Sequence, residues 1–428
     1  MQYSYVTYIL GFLAKRAIAR YQPAIVGITG SVGKTSTKEA VYTVLHRNFY
    51  VAKSSSNINN EIGVPCSVLG IEPAGTRDRQ ATFASRLKFL IGILKSVWLI
   101  IGPRRKHFPK MLILELGADR PGDMRYLSEM LKPQTIVVTA VGSLPVHVEY
   151  YSGPEAVAKE KAQIIKWVGP KGVAILNYDD PIVREMKSVV RGNTVMFGFS
   201  DQADLWVSDL AYFLGADHKH IEGLSFKLHK GVSFVPMRVP GLIAPHKLYS
   251  IMAATAVGMH FGMNLVEIGD ALEHFESPKK RVELMQGING SMLIDDTYNA
   301  SPLSTQAALE TLHEFGTTLH RLNDARCRRI AILGDMKELG EYAERAHREI
   351  GALAPGKCDY LITLGKLGQI IADTARPKMP EGRVSAFQDP HEALQYVTML
   401  VKDGDVILVK GSRAMNMEEI VKALAIIK

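Results

Sequence analysis

Short apolar runs alternate with longer segments of helical periodicity along most of the chain. Four runs from Ala24 onward are rich in Val, Ile and Leu, and a helix-length segment separates each from the next. Strands that are buried on both faces have this composition, so the alternation predicts a mostly parallel sheet covered by helices. The predicted strands are residues 24–29, 111–116, 135–140 and 173–177.

A second series of the same kind predicts a second α/β domain of about 150 residues. Residues 203–238 lie between the two series and alternate apolar with polar side chains, which is typical of antiparallel strands. The charged stretch 277–281 is interpreted as a linker. The predicted domains are an N-terminal apolar helix (1–24), a central α/β domain (25–278) and a C-terminal α/β domain (279–428). The strands of the second series are residues 292–296, 329–334, 360–365 and 405–410.

Two further segments are apolar with helical spacing. Residues 3–14 are apolar and aromatic and precede basic residues, the reverse of the order in a secretory signal, so we predict a retained helix. Residues 87–101 lie in an insertion at about 72–110 and predict an amphipathic helix, with Lys88 and Lys95 opposite its apolar face. No apolar run reaches about 18 residues, so a membrane-spanning helix is not predicted. The apolar face consists of Leu87, Leu90, Ile91, Leu94, Trp98 and Ile101.

Composition narrows the class of protein. The 428 residues are too many for one ordinary domain, and 47% hydrophobic with 22% charged residues is typical of a soluble globular enzyme. Three widely spaced cysteines encode neither a disulfide framework nor a zinc site, which fits a reducing compartment. The net charge of +8 is compatible with nucleic acid, an anionic membrane surface or nucleotides. No motif that reads RNA or DNA supports the first.

The strongest local motif is Gly27-Ile-Thr-Gly-Ser-Val-Gly-Lys-Thr35, which follows a predicted strand and opens a predicted helix. Glycines in this position let backbone N–H groups surround a phosphate at the positive end of the helix dipole. Lys34 is expected to reach the β- and γ-phosphates, and the Thr35 hydroxyl to bind Mg²⁺. The spacing departs from GxxxxGK[ST], because Gly27 stands one residue too early. The competing interpretation is a glycine-rich turn with a chance Lys and Thr.

Three other residues are candidates on weaker local grounds. Glu115 ends a buried strand, where an α/β sheet presents its ligands, although a plain surface glutamate fits the same pattern. His147 follows a predicted strand, and a single loop histidine is more often structural than a ligand. Lys161 lies in a charged predicted helix, for which a solvated helix face is the simpler interpretation.

From Gly27 onward nearly the whole chain resembles the Mur ligases, ATP-dependent enzymes that form amide bonds through an acyl phosphate. Thr-Gly-Ser-x-Gly-Lys-Thr is the form of the phosphate loop in that family. The resemblance implies a central P-loop ATPase domain with a mostly parallel sheet and a C-terminal Rossmann-like domain. It also implies that His147 binds a second Mg²⁺ and that Lys161, about fourteen residues later, is carbamylated and supports the metal site.

Further segments resemble the Mur ligases that add D-alanyl-D-alanine to a peptidoglycan-precursor peptide. Asp295-Asp-Thr-Tyr-Asn-Ala-Ser-Pro302 is similar to their DDSYNANP signature, although taken alone it is also a strand end entering a turn. Folate and cyanophycin ligases share the phosphate loop but carry a DxxHNP-like segment there. The other matching segments are the asparagine-rich residues 56–65, residues 334–340 with His347, and residues 408–413.

The resemblance assigns roles to individual residues. Lys34, Lys161, His147 and Arg281 are expected to be catalytic, and Arg281 to approach the γ-phosphate. Mg²⁺ is expected on Thr35, Glu115, His147 and Lys161. The incoming dipeptide and its acceptor are expected beside Asn57, Asn60, Tyr298, Asn299 and Ser301. The residues expected to bind ATP are Thr29, Gly30, Ser31, Gly33, Lys34, Thr35, Ser36, His246, Arg281 and Asp296.

The chain departs from the family in two places. The adenine-contacting HNxxN motif reads His246-Lys-Leu-Tyr-Ser250, so both asparagines are replaced. Only about 25 residues precede the phosphate loop, so we expect the family's N-terminal uridine-nucleotide-binding domain to be missing.

Three hypotheses follow for function. The first is the D-alanyl-D-alanine ligase, the second a ligase of the same chemistry with another carboxylate acceptor, and the third a nucleotide-binding scaffold without catalysis. A cytoplasmic protein is expected in each case. The apolar segments either pack on the protein or form a basic, apolar surface for the inner face of the membrane or a protein partner, through residues 3–20 and 87–106.

Overall fold

A computed structural model describes residues 5–54, 59–72, 83–104, 108–215, 220–323 and 327–426. Two β-sheets organise it, each covered by helices on both faces, as layered α/β proteins require. The predicted α/β fold class is therefore confirmed. The predicted substrate residue Asn57 and the last two residues of the range 87–106 lie outside the described residues.

The first sheet has nine strands in the order β2-β3-β1-β4-β5-β6-β7-β8-β9. Its strands are parallel from β2 to β7, and β7, β8 and β9 extend it as an antiparallel meander. The strands are β1 (Ala24–Thr29), β2 (Val51–Lys53), β3 (Met111–Glu115), β4 (Thr135–Val138), β5 (Val173–Asn177), β6 (Asn193–Gly198), β7 (Leu205–Leu214), β8 (Ile221–Lys230) and β9 (Ser233–Pro240).

The second sheet has six strands in the order β10-β11-β15-β12-β13-β14. Only the edge pair β10 and β11 is antiparallel. The predicted domain boundary after residue 278 falls in the connection between the two sheets and stays a prediction. The strands are β10 (Glu283–Gln286), β11 (Met292–Asp296), β12 (Arg329–Gly334), β13 (Tyr360–Leu364), β14 (Val384–Phe387) and β15 (Val406–Lys410).

Helices cover the sheets because each presents one apolar stripe to a sheet face. In the first sheet α2, α8 and α9 share one core, and α1, α3, α4 and α5 share the core on the other face. The helices are α1 (Tyr5–Tyr21), α2 (Lys34–His46), α3 (Gly63–Leu69), α4 (Phe83–Ile101), α5 (Asp123–Leu131), α6 (Pro154–Ala162), α7 (Pro181–Glu185), α8 (Leu248–His260), α9 (Leu265–Leu272), α10 (Pro302–Asn323), α11 (Ala343–Leu353), α12 (Gly368–Ala375), α13 (Pro390–Leu400) and α14 (Glu418–Leu424).

All eight predicted strands are present, four at the predicted bounds and four with one end moved by one or two residues. The predicted antiparallel region contains β7, β8 and most of β9. The helix containing Lys161 ends at Ala162 and continues as a 3₁₀ turn to Trp167.

The apolar face predicted over residues 87–101 is exposed in the structure. Helix α4 is apolar on two sides, and it packs through the side that carries Leu99 and the partly buried Phe89 and Ile93. The face predicted to be apolar points away from the core, with Leu94 61% and Trp98 59% exposed. Periodicity identified an apolar face but not which of two faces packs. Within the described ranges, no helix is both long and apolar enough to cross a membrane.

Candidate active site

A cavity of about 1010 Å³ lies between the two sheets. The carboxyl ends of parallel strands meet at this edge of the first sheet, which is where α/β proteins bind ligands. The register places Glu115 beside Ile28 and Val138 beside Thr29, so β1, β3 and β4 end together. The second sheet contributes Asp296 from the end of β11 and Lys410 from the end of β15.

The phosphate loop connects β1 to α2 as predicted. Gly30 has φ of 142° and Gly33 of 89°, conformations that favour glycine. A Cβ on Gly30 would stand 2.1 Å from Thr139 Oγ1, so a side chain there would clash with β4's neighbouring loop. A hydrogen bond from Ser31 N to Ala140 O, 2.6 Å long, holds the phosphate loop against the segment that follows β4. The first turn of α2 is thereby aimed into the cavity, with its unpaired N–H groups available to an anion.

Ser31 and Lys34 give the loop the chemistry of a phosphate site. Ser31 Oγ is buried and has no hydrogen-bond partner within the described protein, so a ligand oxygen would satisfy it. Lys34 Nζ donates to Gly30 O at 2.9 Å and to Ser31 O at 3.4 Å, which keeps the ammonium folded over the loop. Burial lowers the pKa of Lys34, and Glu115 opposes that shift. A bound anion would restore the charged form.

Thr35 and Glu115 form the candidate Mg²⁺ site. Thr35 Oγ1 donates to Glu115 Oε2 at 2.9 Å, and Asn59 Nδ2 donates to the other carboxylate oxygen at 3.0 Å. Among the described residues, no group of three or more His, Cys, Asp or Glu could hold a metal ion. Mg²⁺ in nucleotide sites takes one or two protein ligands together with phosphate oxygens, and this hydroxyl–carboxylate pair beside the phosphate loop fits that pattern.

Lys161 lies in the same cavity, 1% exposed, with Nζ donating to Gly30 O at 3.2 Å. Burial, followed by the nearby Lys34 charge, lowers the pKa of Lys161 to about 7. A buried amine of which about half is neutral near neutral pH is a nucleophile for carbon dioxide. The predicted carbamylation therefore suits the position of this side chain.

His147 lies at the junction of the two sheets. Its Nδ1 is 3.0 Å from Glu338 Oε2, and its Nε2 is 3.6 Å from Asp119 Oδ1. His147 and Glu338 both have positive φ, 67° and 65°. The hydrogen bond from His147 lowers the pKa of Glu338. A histidine that ligates metal commonly donates its second ring N–H to a carboxylate, and Glu338 stands where that group belongs.

Arg281 links the connection between the sheets to the phosphate loop. Its Nη2 donates to Thr35 Oγ1 at 2.9 Å, and its guanidinium stacks 3.9 Å from the centre of the Tyr298 ring. Asp296 accepts from Lys410 Nζ at 2.6 Å, and the same ammonium donates to Asn299 O at 3.0 Å. The predicted set Arg281, Asp296, Tyr298 and Asn299 is thus brought to one wall of the cavity.

The segment that replaces HNxxN makes structural bonds instead. Lys247 Nζ donates to the Arg281 carbonyl oxygen and, at 3.4 Å, to Val282 O, so it anchors the connection between the sheets. Ser250 Oγ accepts from Thr37 Oγ1 of α2 at 3.0 Å. His246 still lines the cavity, and burial lowers its pKa to about 3. Lys247 and Ser250 therefore do not provide the two side-chain amides of the HNxxN motif that contacts adenine.

Three predicted residues have structural bonds that bear on their roles. Thr29 Oγ1 donates to Leu116 O at 3.1 Å beneath the loop. Asn60 Oδ1 accepts from Ile62 N and Gly63 N, each at 3.1 Å, and so stabilises the start of α3, while its neighbour Asn59 lines the cavity. Ser301 borders the cavity, and its hydroxyl bonds Ser304 Oγ at 3.0 Å at the start of α10. The predicted binding residues Gly33 and Ser36 line the cavity.

Sequence reasoning assigned no role to five residues of the site. Asn59 stood one position from the residue that was chosen. Glu338 lay inside a recognised segment, 334–340, that carried no assignment. Lys247 and Lys410 lay inside the segments 246–250 and 408–413, which had been singled out without a role for either lysine. Asp119 follows a predicted strand, which is a usable but unspecific criterion. The five are Asn59, Asp119, Lys247, Glu338 and Lys410.

The chain is similar to known proteins over nearly its whole length. The Mur ligase middle domain model matches residues 28–77 and 104–258, and the model "Mur ligase, glutamate ligase domain" matches residues 280–413. The UDP-N-acetylmuramoyl-tripeptide–D-alanyl-D-alanine ligase of Bacillus subtilis is 30% identical over 416 residues, which cover 96% of this chain and 78% of that protein. The Escherichia coli enzyme of the same name is 27% identical over 94% of this chain and 76% of its own length.

A solved structure has the same fold. The MurF ligase of Thermotoga maritima in complex with ADP superimposes with a TM-score of 0.76 at 25% identity, covering 97% of this chain and 83% of that one. The two family models fall on the two sheets that enclose the cavity. The chain belongs to the Mur ligase family.

Proposed function

We propose that the protein joins D-alanyl-D-alanine to a peptidoglycan-precursor tripeptide, with hydrolysis of ATP to ADP. Mur ligases are ATP-dependent, ADP-forming ligases that use Mg²⁺. The main support for this proposal is the cavity in which Lys34, Glu115 and Arg281 lie around the phosphate loop. This arrangement suits transfer of a phosphoryl group. The names of the relatives supply the substrates.

In the first step a substrate carboxylate oxygen attacks the γ-phosphorus of ATP. The bond to the β–γ bridging oxygen breaks, and ADP leaves with that electron pair. Lys34 and Arg281 are placed to neutralise charge on the transferring group, and the Ser31 hydroxyl to bond a phosphate oxygen. Mg²⁺, held by Thr35 and Glu115, would supply further charge neutralisation.

In the second step the dipeptide amine attacks the carbonyl carbon of the acyl phosphate. The nitrogen loses a proton, phosphate leaves, and an amide remains. We expect Tyr298 and Asn299 to border the amine, because they line the same cavity as the phosphate loop. Arg281 touches Thr35 across the cavity, so the two sheets are already docked. This docking would exclude water that otherwise hydrolyses the acyl phosphate.

The direct test incubates the full chain with ATP, Mg²⁺, D-alanyl-D-alanine and the UDP-linked tripeptide. We expect one amide product for each ADP formed, measured by mass spectrometry and ADP release. ADP release without amide would contradict the proposed substrates, and no ADP release would contradict the ligase itself. Replacing the tripeptide with acceptors that lack the uridine nucleotide tests the alternative of a different carboxylate acceptor.

We also propose that this cytoplasmic enzyme works at the inner face of the membrane. The support is an exposed apolar side on α1 and α4, well away from the residues that form the cavity. Gentle lysis and fractionation test this location: the proposal expects the chain in the membrane pellet and its release by salt. Recovery entirely in the supernatant at low salt would contradict it.

A further inference from the structure

A broad apolar surface lies outside the active site, on the outward sides of α1 and α4. We call Tyr5, Tyr8 and Phe12 of α1 with Leu94, Trp98 and Ile101 of α4 the two-helix surface. These six side chains are between 48% and 91% exposed. Single exposed apolar residues are ordinary in soluble proteins, but aromatic and aliphatic residues repeated along two packed helices are typical of an interaction site.

The two-helix surface is held in place from beneath. Leu10, Ala14 and Ala17 of α1 are fully buried on the opposite side of that helix. The ends of the helices are tied together, because the Arg20 guanidinium donates to the Ile100 and Gly102 carbonyls and Tyr21 OH donates to Leu99 O at 3.2 Å. Both helices therefore already have a packed face, and the exposed apolar stripe is additional to it.

The charge of these segments is entirely positive. Residues 5–24 and 83–110 contain ten of the chain's 51 Lys and Arg and none of its 43 Asp and Glu. The remainder of the chain has 41 basic against 43 acidic residues, so the net charge of +8 comes from these two segments. Lys15, Arg16, Lys88 and Lys95 are exposed beside the apolar stripe. The partner of this surface must therefore be apolar and anionic together.

We infer that the two-helix surface is a binding site for anionic lipid, on which α1 and α4 lie in the plane of the membrane interface. Apolar side chains flanked by Lys and Arg, with Tyr and Trp at the boundary, are the features of interfacial helices. A second copy of the chain fits less well, because a two-fold interface would bring the same cations face to face. The inference deepens the proposed location and does not depend on the ligase reaction.

The test uses the full chain with vesicles of phosphatidylcholine alone or of phosphatidylcholine with phosphatidylglycerol. We expect sedimentation with the anionic vesicles, weakened by salt. Leu94→Gln with Trp98→Gln should abolish it. The control is Val232→Gln with Met399→Gln, two apolar residues elsewhere that are more exposed than Leu94 and Trp98, and this variant should bind as the original chain does. Circular dichroism and the melting temperature establish that each variant is folded.

Charge is tested separately. Lys88→Gln with Lys95→Gln should weaken binding to anionic vesicles by about five-fold for each cation removed, whereas Lys88→Arg with Lys95→Arg should retain it. Ligase activity on soluble substrates should be unchanged in all these variants, which separates failure of this inference from failure of the proposed function. Equal binding to both vesicle types, no binding to either, or an oligomer that the Leu94 and Trp98 changes dissociate would overturn it.

Discussion

Replacement of Lys161 by alanine should remove activity that a small carboxylic acid then restores. The side chain is 1% exposed and turned toward the phosphate loop, where a fixed cation would repel Mg²⁺. Carbamylation converts it to an anion that can support the metal site. Alanine leaves a space in which acetate or propionate can place the missing carboxylate.

The lowered pKa of Lys161 determines how much of its side chain is neutral and able to react with carbon dioxide. At a pH of about 8 an amine with a pKa of about 7 is about nine-tenths neutral, whereas one at the ordinary 10.5 is about 0.3% neutral. The reactive fraction is thus about 300-fold larger than in an exposed lysine. Loss of the supporting anion should weaken metal binding by about 10- to 100-fold.

The assay measures kcat with and without added carboxylic acid, and ¹³C NMR of the chain in labelled bicarbonate detects the carbamate. Lys159→Ala, an exposed lysine on the same helix, is the matched control and should remain active. Lys161→Arg keeps the cation, fills the space and should be inactive without rescue. Full activity of Lys161→Ala, or no carbamate signal in the active chain, would refute the reasoning.

Three other changes have defined outcomes. Lys34→Ala should lower kcat by at least about 10²- to 10³-fold while the melting temperature stays constant, because it removes a charge at the phosphates; near-normal turnover would contradict the phosphate site. Glu338→Gln should weaken Mg²⁺-dependent ADP binding by about ten-fold in calorimetry, with the exposed Glu344→Gln as control, since the His147 ring loses its carboxylate partner. The free energy of unfolding should fall as pH drops from about 6.5 toward about 3, because His246 binds a proton in the unfolded chain but stays neutral in the folded protein. Urea titrations across that pH range should show a weaker pH dependence of the free energy of unfolding for His246→Gln. An unchanged pH dependence would contradict the lowered pKa of His246.

Eight strands of the two sheets were predictable because they are buried runs that differ sharply from the helical segments around them. Strands β2, β6, β10 and β14 are only partly buried and were not predicted. Residues 173–177 and 329–334 were predicted at the bounds that the structure has. The phosphate loop was predictable because its glycines adopt backbone conformations that few other residues adopt. The glycine pattern in the sequence therefore indicates the shape of the loop.

Contacts between distant segments were not predictable. His147 and Glu338 are 191 positions apart in the sequence and meet only because the two sheets dock. Asn59 and Asn60 are adjacent and identical in type, yet Asn59 donates a hydrogen bond to Glu115 whereas Asn60 accepts from backbone N–H groups. In α4, Gly92 lies close against Ile71 and fixes which apolar side packs, a choice that helical periodicity alone cannot make.

The central claim is that this chain forms an amide through an acyl phosphate. The most direct measurement uses acceptor labelled with ¹⁸O in the reacting carboxylate, together with ATP, Mg²⁺ and the dipeptide. Mass spectrometry of the products should find one ¹⁸O in each inorganic phosphate released and an equal amount of amide. Amide formation with unlabelled phosphate would contradict the acyl phosphate, and labelled or unlabelled phosphate without amide would contradict the ligase.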